Sequence, residues 1–528
     1  MRTSQYLIFR LSSLLLSLLL TSCANLPENN QQVPSTAISY DESSETTLAK
    51  SVNERRKQQQ ASDELTGMLL LDNGLDAMVA RIALVRLAER SLDVQYYLYH
   101  SDLSGSLLTY ELWHAAERGV RVRLLLDDMD MAGKDKNLAV LNKHPNIEIR
   151  LFNPFIRGKN RTTQFITRFG SVTRRAHNKA LIADNQVAII GGRNIGDEYF
   201  DANANMAFGD LDVTLTNPGA QQVSEEFDLY WNNQLAYPIS TLSKYQASED
   251  DLLEAQKKVE AFAVKNKDNV YFKSLANSGI LKRTKAGENN YHWGEVDILY
   301  DNPDKISSDR DKTEYHLAPK LLPHIESVQH QLLVISPYFV PGKEGVEFFS
   351  DLEQRGVDVK ILTNSLTSND VPAVHAGYSR YRKKLLKAGI ELYELDKTLL
   401  ERNYQREKSS TTREGVKGSQ ASLHAKYFVM DKSHAFIGSL NLDPRSVVEN
   451  TEIGAVIISE QLANYLANSF DERIDSVAFK LSLEDNKIHW ERKTENGSTL
   501  EFDKEPYSTW WDRFSIGFMR LLPGESQL

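Results

Sequence analysis

The sequence predicts an α/β fold built twice, as two similar lobes in which helices cover β-sheets. Three observations predict it. Amphipathic stretches alternate with β-rich runs from about residue 66; the same order of elements returns after residue 290; and one polar skeleton recurs near the end of each half. Helices that alternate with strands come to cover both faces of a sheet. At 528 residues the chain also exceeds the roughly 250–300 at which a single core stops growing.

In chain order, residues 1–22 read as a secretory signal. Arg2 and Arg10 precede the apolar run LSSLLLSLLL, and small residues follow in TSCAN. The only cysteine, Cys23, stands where the cysteine of a bacterial lipobox stands, so the segment resembles a lipoprotein signal and implies lipidation of Cys23. Ala24 in place of Asp implies the outer membrane over the inner one, facing the periplasm. With Cys23 so used, no disulfide framework is possible. Cleavage removes Arg2 and Arg10 and takes the formal charge from −10 to −12. An acidic chain gains nothing from counterion release, which argues against nucleic acid as a partner. No apolar run beyond the N-terminus approaches the ~20 residues of a spanning helix.

Residues 23–65 are polar and read as a disordered tether. The first lobe spans 66–240, with helices in GLDAMVARIALVRLAERS and SLLTYELWHAAERG and strands in LDVQYYLY and VRVRLLLDD. A connector, 241–289, contains the helical EDDLLEAQKKVEAFAVKN. The second lobe spans 290–528, and its DLEQRGVDVKILTNS repeats the pattern of AAERGVRVRLLLDD. The polar insertion RNYQREKSSTTREGVKGSQ (402–420) reads as a mobile loop. The tail TWWDRFSIGFMRLL carries aromatics at helical spacing and suits either a membrane surface or the second lobe's core.

The recurring skeleton is AHNKALIADNQVAIIGGRN (176–194) and LHAKYFVMDKSHAFIGSLN (423–441). His177, Lys179, Asp184, Gly192 and Asn194 in the first half match His424, Lys426, Asp431, Ser439 and Asn441 in the second. One such match has a chance probability on the order of 10⁻⁷ per starting position on average composition. A lone strand histidine is usually a satisfied core residue, and a lone lysine is surface charge. Packing does not demand the same polar identities twice. In extended chain, His and Lys at i and i+2 share a face. Asp184 and Asp431 open turns, and the apolar letters between are free to drift because they only fill two separate cores.

These residues resemble the paired HKD motifs of the phospholipase D superfamily. The resemblance implies two phospholipase D-type lobes, each a mixed sheet flanked by helices, related by a pseudo-twofold with the active site between them. It further implies a phosphohistidine mechanism without metal or other cofactor, His177 as nucleophile and His424 as acid/base. Lys179, Lys426, Asn194 and Asn441 would hold the phosphate, with Ser439 a lesser partner and Asp184 and Asp431 structural. A carboxylate some thirty residues beyond each histidine would orient it: Glu452 in the second half, and Asp210, favoured over Asp212, in the first. No H-E-x-x-H or cysteine cluster points to a metal.

Within the superfamily, GGRNIGDEYF and EFDLYWNN resemble bacterial cardiolipin synthases, while SPYFVPG, NDVPAVHAGYSRYRKKLLKAGIELYEL and SLNLDPRSVVENTEIG are most similar to their C-type branch. That implies transfer of a phosphatidyl group onto phosphatidylglycerol, with phosphatidylethanolamine as donor, at a membrane surface. His375, Tyr378 and Arg380 would touch headgroups, and Arg382, Lys383 and Lys384 would form a solvated or membrane-facing patch. Chemistry alone leaves a hydrolase releasing phosphatidic acid, an exported nuclease, and a non-catalytic lipid-binding protein as competing classes.

Overall fold

The computed structural model describes residues 26–202, 206–288, 290–398, 420–494 and 496–520. The signal, Cys23 and nearly all of the 402–420 insertion lie outside the described residues.

Nine strands form the first half: β1 (Thr66–Leu71), β2 (Ser91–Tyr96), β3 (Arg121–Asp127), β4 (Ile147–Phe152), β5 (Ala180–Ala183), β6 (Val187–Gly191), β7 (Met206–Gly209), β8 (Asp212–Thr216) and β9 (Ala236–Pro238). The second half holds β10 (His292–Tyr300), β11 (Gln331–Ile335), β12 (Asp358–Asn364), β13 (Glu391–Leu395), β14 (Gln420–Leu423), β15 (Tyr427–Met430), β16 (His434–Gly438), β17 (Ile453–Ile458) and β18 (Ala478–Glu484), and apart from β7 and β14 the two halves correspond strand for strand. A hairpin, β19 (Lys487–Lys493) and β20 (Thr499–Phe502), extends the far edge.

In space the first half runs β9-β4-β3-β2-β5-β6-β8-β1. The second runs β10-β17-β16-β15-β11-β12-β13-β18. The antiparallel pair β1–β10, with Thr66 opposite Gly294, fuses the two orders into one sheet. Only β2-β3-β4 and β11-β12-β13 are parallel within it. The strand order is its own mirror image about the β1–β10 seam, which is the pseudo-twofold read in backbone hydrogen bonds.

The helices flank this sheet. Helix α1 (Thr47–Gln58) precedes the sheet, α2 (Gly74–Leu87) and α3 (Leu103–Glu117) cover the outer face of the first lobe, and α4 (Gly219–Trp231) covers its other face. In the connector lie α5 (Glu249–Asn266), α6 (Val270–Ala276) and α7 (Gly279–Ala286). The second lobe adds α8 (Ala318–Glu326), α9 (Gly342–Gln354), α10 (Pro372–Ser379), α11 (Arg382–Lys387), α12 (Glu460–Val477) and α13 (Trp510–Met519). The repeated R-G-V ends α3 and α9 in the same way. Gly119 and Gly356 take φ of 91° and 89°, and Val120 and Val357 donate back to Ala115 and Leu352. A residue with a Cβ would resist that left-handed cap.

Three differences from the expectations have physical causes. The apolar residues form three clusters, not two separate cores. One on each outer face belongs to a single lobe, and a third, under α4 and α12, is continuous across both. The connector is more than a spacer, since Tyr271, Leu275 and Ile280 are buried in the first lobe's outer cluster against α2. Residues 26–65 are ordered rather than a tether. Their carbonyls are taken by arginines: Arg150 donates to Val33, Arg123 to Ser35 and Arg121 to Thr36. Leu48, Ala49 and Val52 of α1 are buried. A polar segment satisfied through its backbone needs few apolar letters of its own. Truncating Leu48 and Val52 to Ala together should lower the unfolding free energy by about 3–5 kcal/mol in a urea titration.

Candidate active site

Each skeleton segment enters the sheet in extended chain and turns back tightly. Asp184 and Asn185, and likewise Asp431 and Lys432, hold φ between 51° and 54°. The Asp184 carboxylate accepts from the backbone N–H of Glu89, Arg90 and Ser91 at 3.0, 2.7 and 2.9 Å. Asp431 accepts from Gln329, His330 and Gln331 at 2.9, 2.8 and 2.9 Å. Each aspartate therefore pins its hairpin to the start of the neighbouring strand, β2 or β11. Both point away from the histidines.

The histidines are held across the lobes. His177 Nδ1 lies 2.9 Å from Glu452 Oε2, and His424 Nδ1 lies 2.6 Å from Asp210 Oδ2. Each carboxylate thus serves the histidine of the opposite half, which corrects the same-half pairing expected above. Backbone bonds explain the crossing. His177 N donates to Thr451 O at 2.8 Å, beside Glu452. His424 N donates to Gly209 O at 2.8 Å, beside Asp210, where β7 and β14 run parallel as a two-stranded ladder between the lobes. Asp212 belongs to a different group, paired in the core with Arg81 at 2.8 Å.

Both imidazoles keep 11 % of their side-chain surface exposed, so they are reachable from a cleft yet mostly dry. Lys179 and Lys426 are buried. Burial lowers the Lys179 ammonium to about 7 against the opposing pull of Glu452, and Lys426 to about 8 against Asp210. Each lysine also feels the other histidine's carboxylate, as expected if the four groups share one site. Burial, then Lys179 and Lys426, push His177 well below the ordinary histidine value. His424 is lowered by burial and Lys426, with Asp210 pulling the other way. Glu452 is raised by burial to about 7, countered by Lys179 and by Ser439. At Asp210 burial is outweighed by His424 and Lys426, which hold its carboxyl well below the usual range.

The residues expected to touch phosphate have other partners in the structure. Ser439 Oγ donates to Glu452 Oε2 at 2.5 Å. Gly192, its counterpart, leaves room for Asp210, whose Oδ1 would lie 2.1 Å from an added Cβ. Asn194 accepts from Leu98 N and donates to the Tyr199 hydroxyl at 3.0 Å. Asn441 Nδ2 reaches Ser446 Oγ at 3.4 Å. Two aromatic partners went unread in the sequence: Tyr97 stands edge-on to His177 and Tyr199 to His424, with centroids 4.9 and 5.2 Å apart. Tyr97 sits in the bend after β2 and Tyr199 at the end of a short 3-10 turn, Asp197–Tyr199, with no repeat to mark either.

His375 and Tyr378 are buried, and Arg382 is buried between Glu394 and Glu505. His375 approaches Glu505 at 3.4 Å. His375 and Arg382 therefore fasten Glu505 of the C-terminal segment to α10 and α11, and His375 and Tyr378 are not exposed at the surface as the headgroup reading expected. Arg380 is half-buried and donates to Arg520 O, whereas Lys383 and Lys384 are exposed.

Two sheet-fused lobes, with a histidine, a lysine and a crossed carboxylate from each, define a phospholipase D-type site. The family model described as cardiolipin synthase, phospholipase D-like domain, matches residues 82–231 and 321–474, and the chain belongs to that family. It is 40% identical over 464 residues to "Cardiolipin synthase C" of Escherichia coli (strain K12), covering 87% of this chain and 95% of that one. It is 24% identical to "Cardiolipin synthase 2" of Staphylococcus epidermidis, over 73% of this chain and 63% of the other. In fold it matches the crystal structure of a phosphatidylserine synthase from Haemophilus influenzae Rd KW20, with a TM-score of 0.54 and 14% identity over 89% and 96% of the two chains. The protein is thus a phospholipase D-type, cardiolipin synthase-like enzyme. No helix among the described residues is long and apolar enough to cross a membrane.

Removing the buried Asp184 carboxylate strands three N–H groups whose bonds to it are buried or part-buried, whereas two of the three bonds to the half-buried Asp431 are exposed to water. Asp184→Ala should cost about 3 kcal/mol or more of unfolding free energy and Asp431→Ala about 1, a difference readable by chemical denaturation.

Proposed function

We propose that the enzyme joins two phospholipids: it transfers a phosphatidyl group from phosphatidylethanolamine to the headgroup hydroxyl of phosphatidylglycerol and so makes cardiolipin. His177 Nε2 attacks the phosphorus as the bond to the donor's headgroup oxygen breaks, and protonated His424 gives its proton to that oxygen. The acceptor hydroxyl then loses its proton to His424 while its oxygen attacks, and the phosphorus–nitrogen bond breaks. Lys179 and Lys426 hold the nonbridging oxygens, and binding that anion restores charge to two ammonium groups that burial has weakened.

The crossed histidine–carboxylate pair carries this reading. It supports a division of labour that the symmetric motifs leave open. A nucleophile must be neutral, and His177 is the histidine driven well below its ordinary value. An acid needs an ionised partner, and Asp210 beside His424 is the carboxylate held low. The likeness to cardiolipin synthases supports the lipid substrates, and the N-terminal pattern through Cys23 supports lipid anchoring on the periplasmic side of the outer membrane.

With vesicles of phosphatidylglycerol and phosphatidylethanolamine, mass spectrometry should find cardiolipin as the product. Phosphatidic acid alone would overturn the transferase reading. His177→Ala should lose at least ~10³-fold in rate. Asp210→Asn removes a charge that raises the His424 value, so the alkaline limb of its pH–rate profile should move to lower pH. An unmoved limb would place the acid elsewhere.

A further inference from the structure

Helix α13 carries four large aromatic side chains that point outward, Trp510, Trp511, Phe514 and Phe518. Its cap is complete: Thr509 and Asp512 form a reciprocal capping box. Only Ile516 is buried, where α13 packs against α10. At 100° per residue, Trp510, Phe514, Phe518 and Trp511 fill the arc opposite Ile516. Their exposures are 59%, 53%, 58% and 69%. Trp510 and Phe514 stack on each other at 5.2 Å, so the aromatic fan is ordered although nothing among the described residues covers it.

The surroundings indicate what the fan meets. Arg513 lies on the helix and Arg520 just past its end, and α11, which follows the α10 that α13 packs on, exposes Lys383, Lys384 and Lys387, cations on a chain of formal charge −10. Tryptophan and phenylalanine flanked by cations suit the boundary between acidic headgroups and acyl chains. The helix is also tied to the catalytic cleft. Thr367 Oγ1 donates to Pro506 O, just before the helix. In the same loop, Asp370 accepts from the Tyr338 hydroxyl, just past β11. Asn364, where that loop begins, grips both backbone groups of Leu423, next to His424.

We propose that α13 is a membrane-docking helix whose aromatic face enters the surface of an anionic phospholipid bilayer and seats the cleft beside His424 against it. This rests on phospholipids being the substrate, and the experiment separates the two ideas. The full chain is mixed with phosphatidylglycerol/phosphatidylethanolamine vesicles carrying brominated acyl chains, and tryptophan fluorescence is followed. Trp113, Trp231 and Trp490 are buried and Trp293 half-buried, so contact quenching reports Trp510 and Trp511. The wild-type protein should be quenched. Phe514→Ser/Phe518→Ser, which keeps both reporters, should lose most of the quenching. That variant should also lose about ten-fold or more in turnover of vesicle lipid while staying within about two-fold on short-chain phosphatidylethanolamine and phosphatidylglycerol dispersed together below their micelle concentrations.

Unquenched wild-type fluorescence, or a variant that keeps both quenching and vesicle turnover, would overturn the docking role. So would a solution dimer that the variant dissociates, since a second copy would then be the occupant. Quenching without any turnover of dispersed lipid would instead overturn the substrate reading and leave the helix assignment standing.

Discussion

Everything in the site depends on a crossed handshake between the lobes. His177 borrows Glu452 and His424 borrows Asp210, and each borrowing is enforced by a backbone bond one residue away from the carboxylate. A lobe taken alone would bury a carboxylate with no imidazole, an arrangement that costs several kcal/mol. The catalytic groups thus act as the clasp that sets how the halves meet. Around them, Arg174 pairs with Glu449 at 2.9 Å and Arg445 donates to Thr173 O, both across the same seam. The shared apolar cluster beneath α4 and α12 and the β1–β10 seam keep the halves in register. Two independent bodies could not hold two imidazoles against one phosphorus with the precision that covalent transfer requires.

The duplication was legible because it is written in local chemistry. R-G-V stops, Asp-x turns and i, i+2 polar pairs each need particular side chains within a few residues, so the repeat survives in the letters. The helix in EDDLLEAQKKVEAFAVKN is Glu249–Asn266 for the same reason: a Ser248 cap and an apolar stripe are local signals. Partnerships across the seam were not legible. Asp210 and Glu452 could be picked from their strands, yet which histidine each would serve depends on how the lobes face each other. Two halves with equivalent motifs give no letter that distinguishes a straight pairing from a crossed one.

Residues 26–65 failed for a different reason. A polar segment is normally free because it lacks apolar area to bury, but here the buried Arg123 and Arg150 of the first lobe need acceptors, and backbone carbonyls supply them whatever the side chains are. The same blindness made Arg382 look like part of a solvated patch. Its guanidinium is neutralised by Glu394, close in sequence, and by Glu505, more than a hundred residues away. A charge looks exposed in a sequence until its distant partner is known.

The two histidines, equal in the letters, become unequal through their second neighbours. One position decides much of it. Ser439 donates to Glu452, while Gly192 at the same place in the other half offers nothing and lets Asp210 close in on His424. The longer glutamate needs a hydroxyl to hold it, and the shorter aspartate needs an absent side chain to fit. Around His177, burial raises the Glu452 carboxyl to about 7 despite the Ser439 hydroxyl and pushes the imidazole well below its ordinary value; around His424, the imidazole and Lys426 outweigh burial and hold the Asp210 carboxyl low. The division of labour proposed for His177 and His424 therefore needs no change in either motif, only one Gly–Ser and one Asp–Glu difference in the groups behind them.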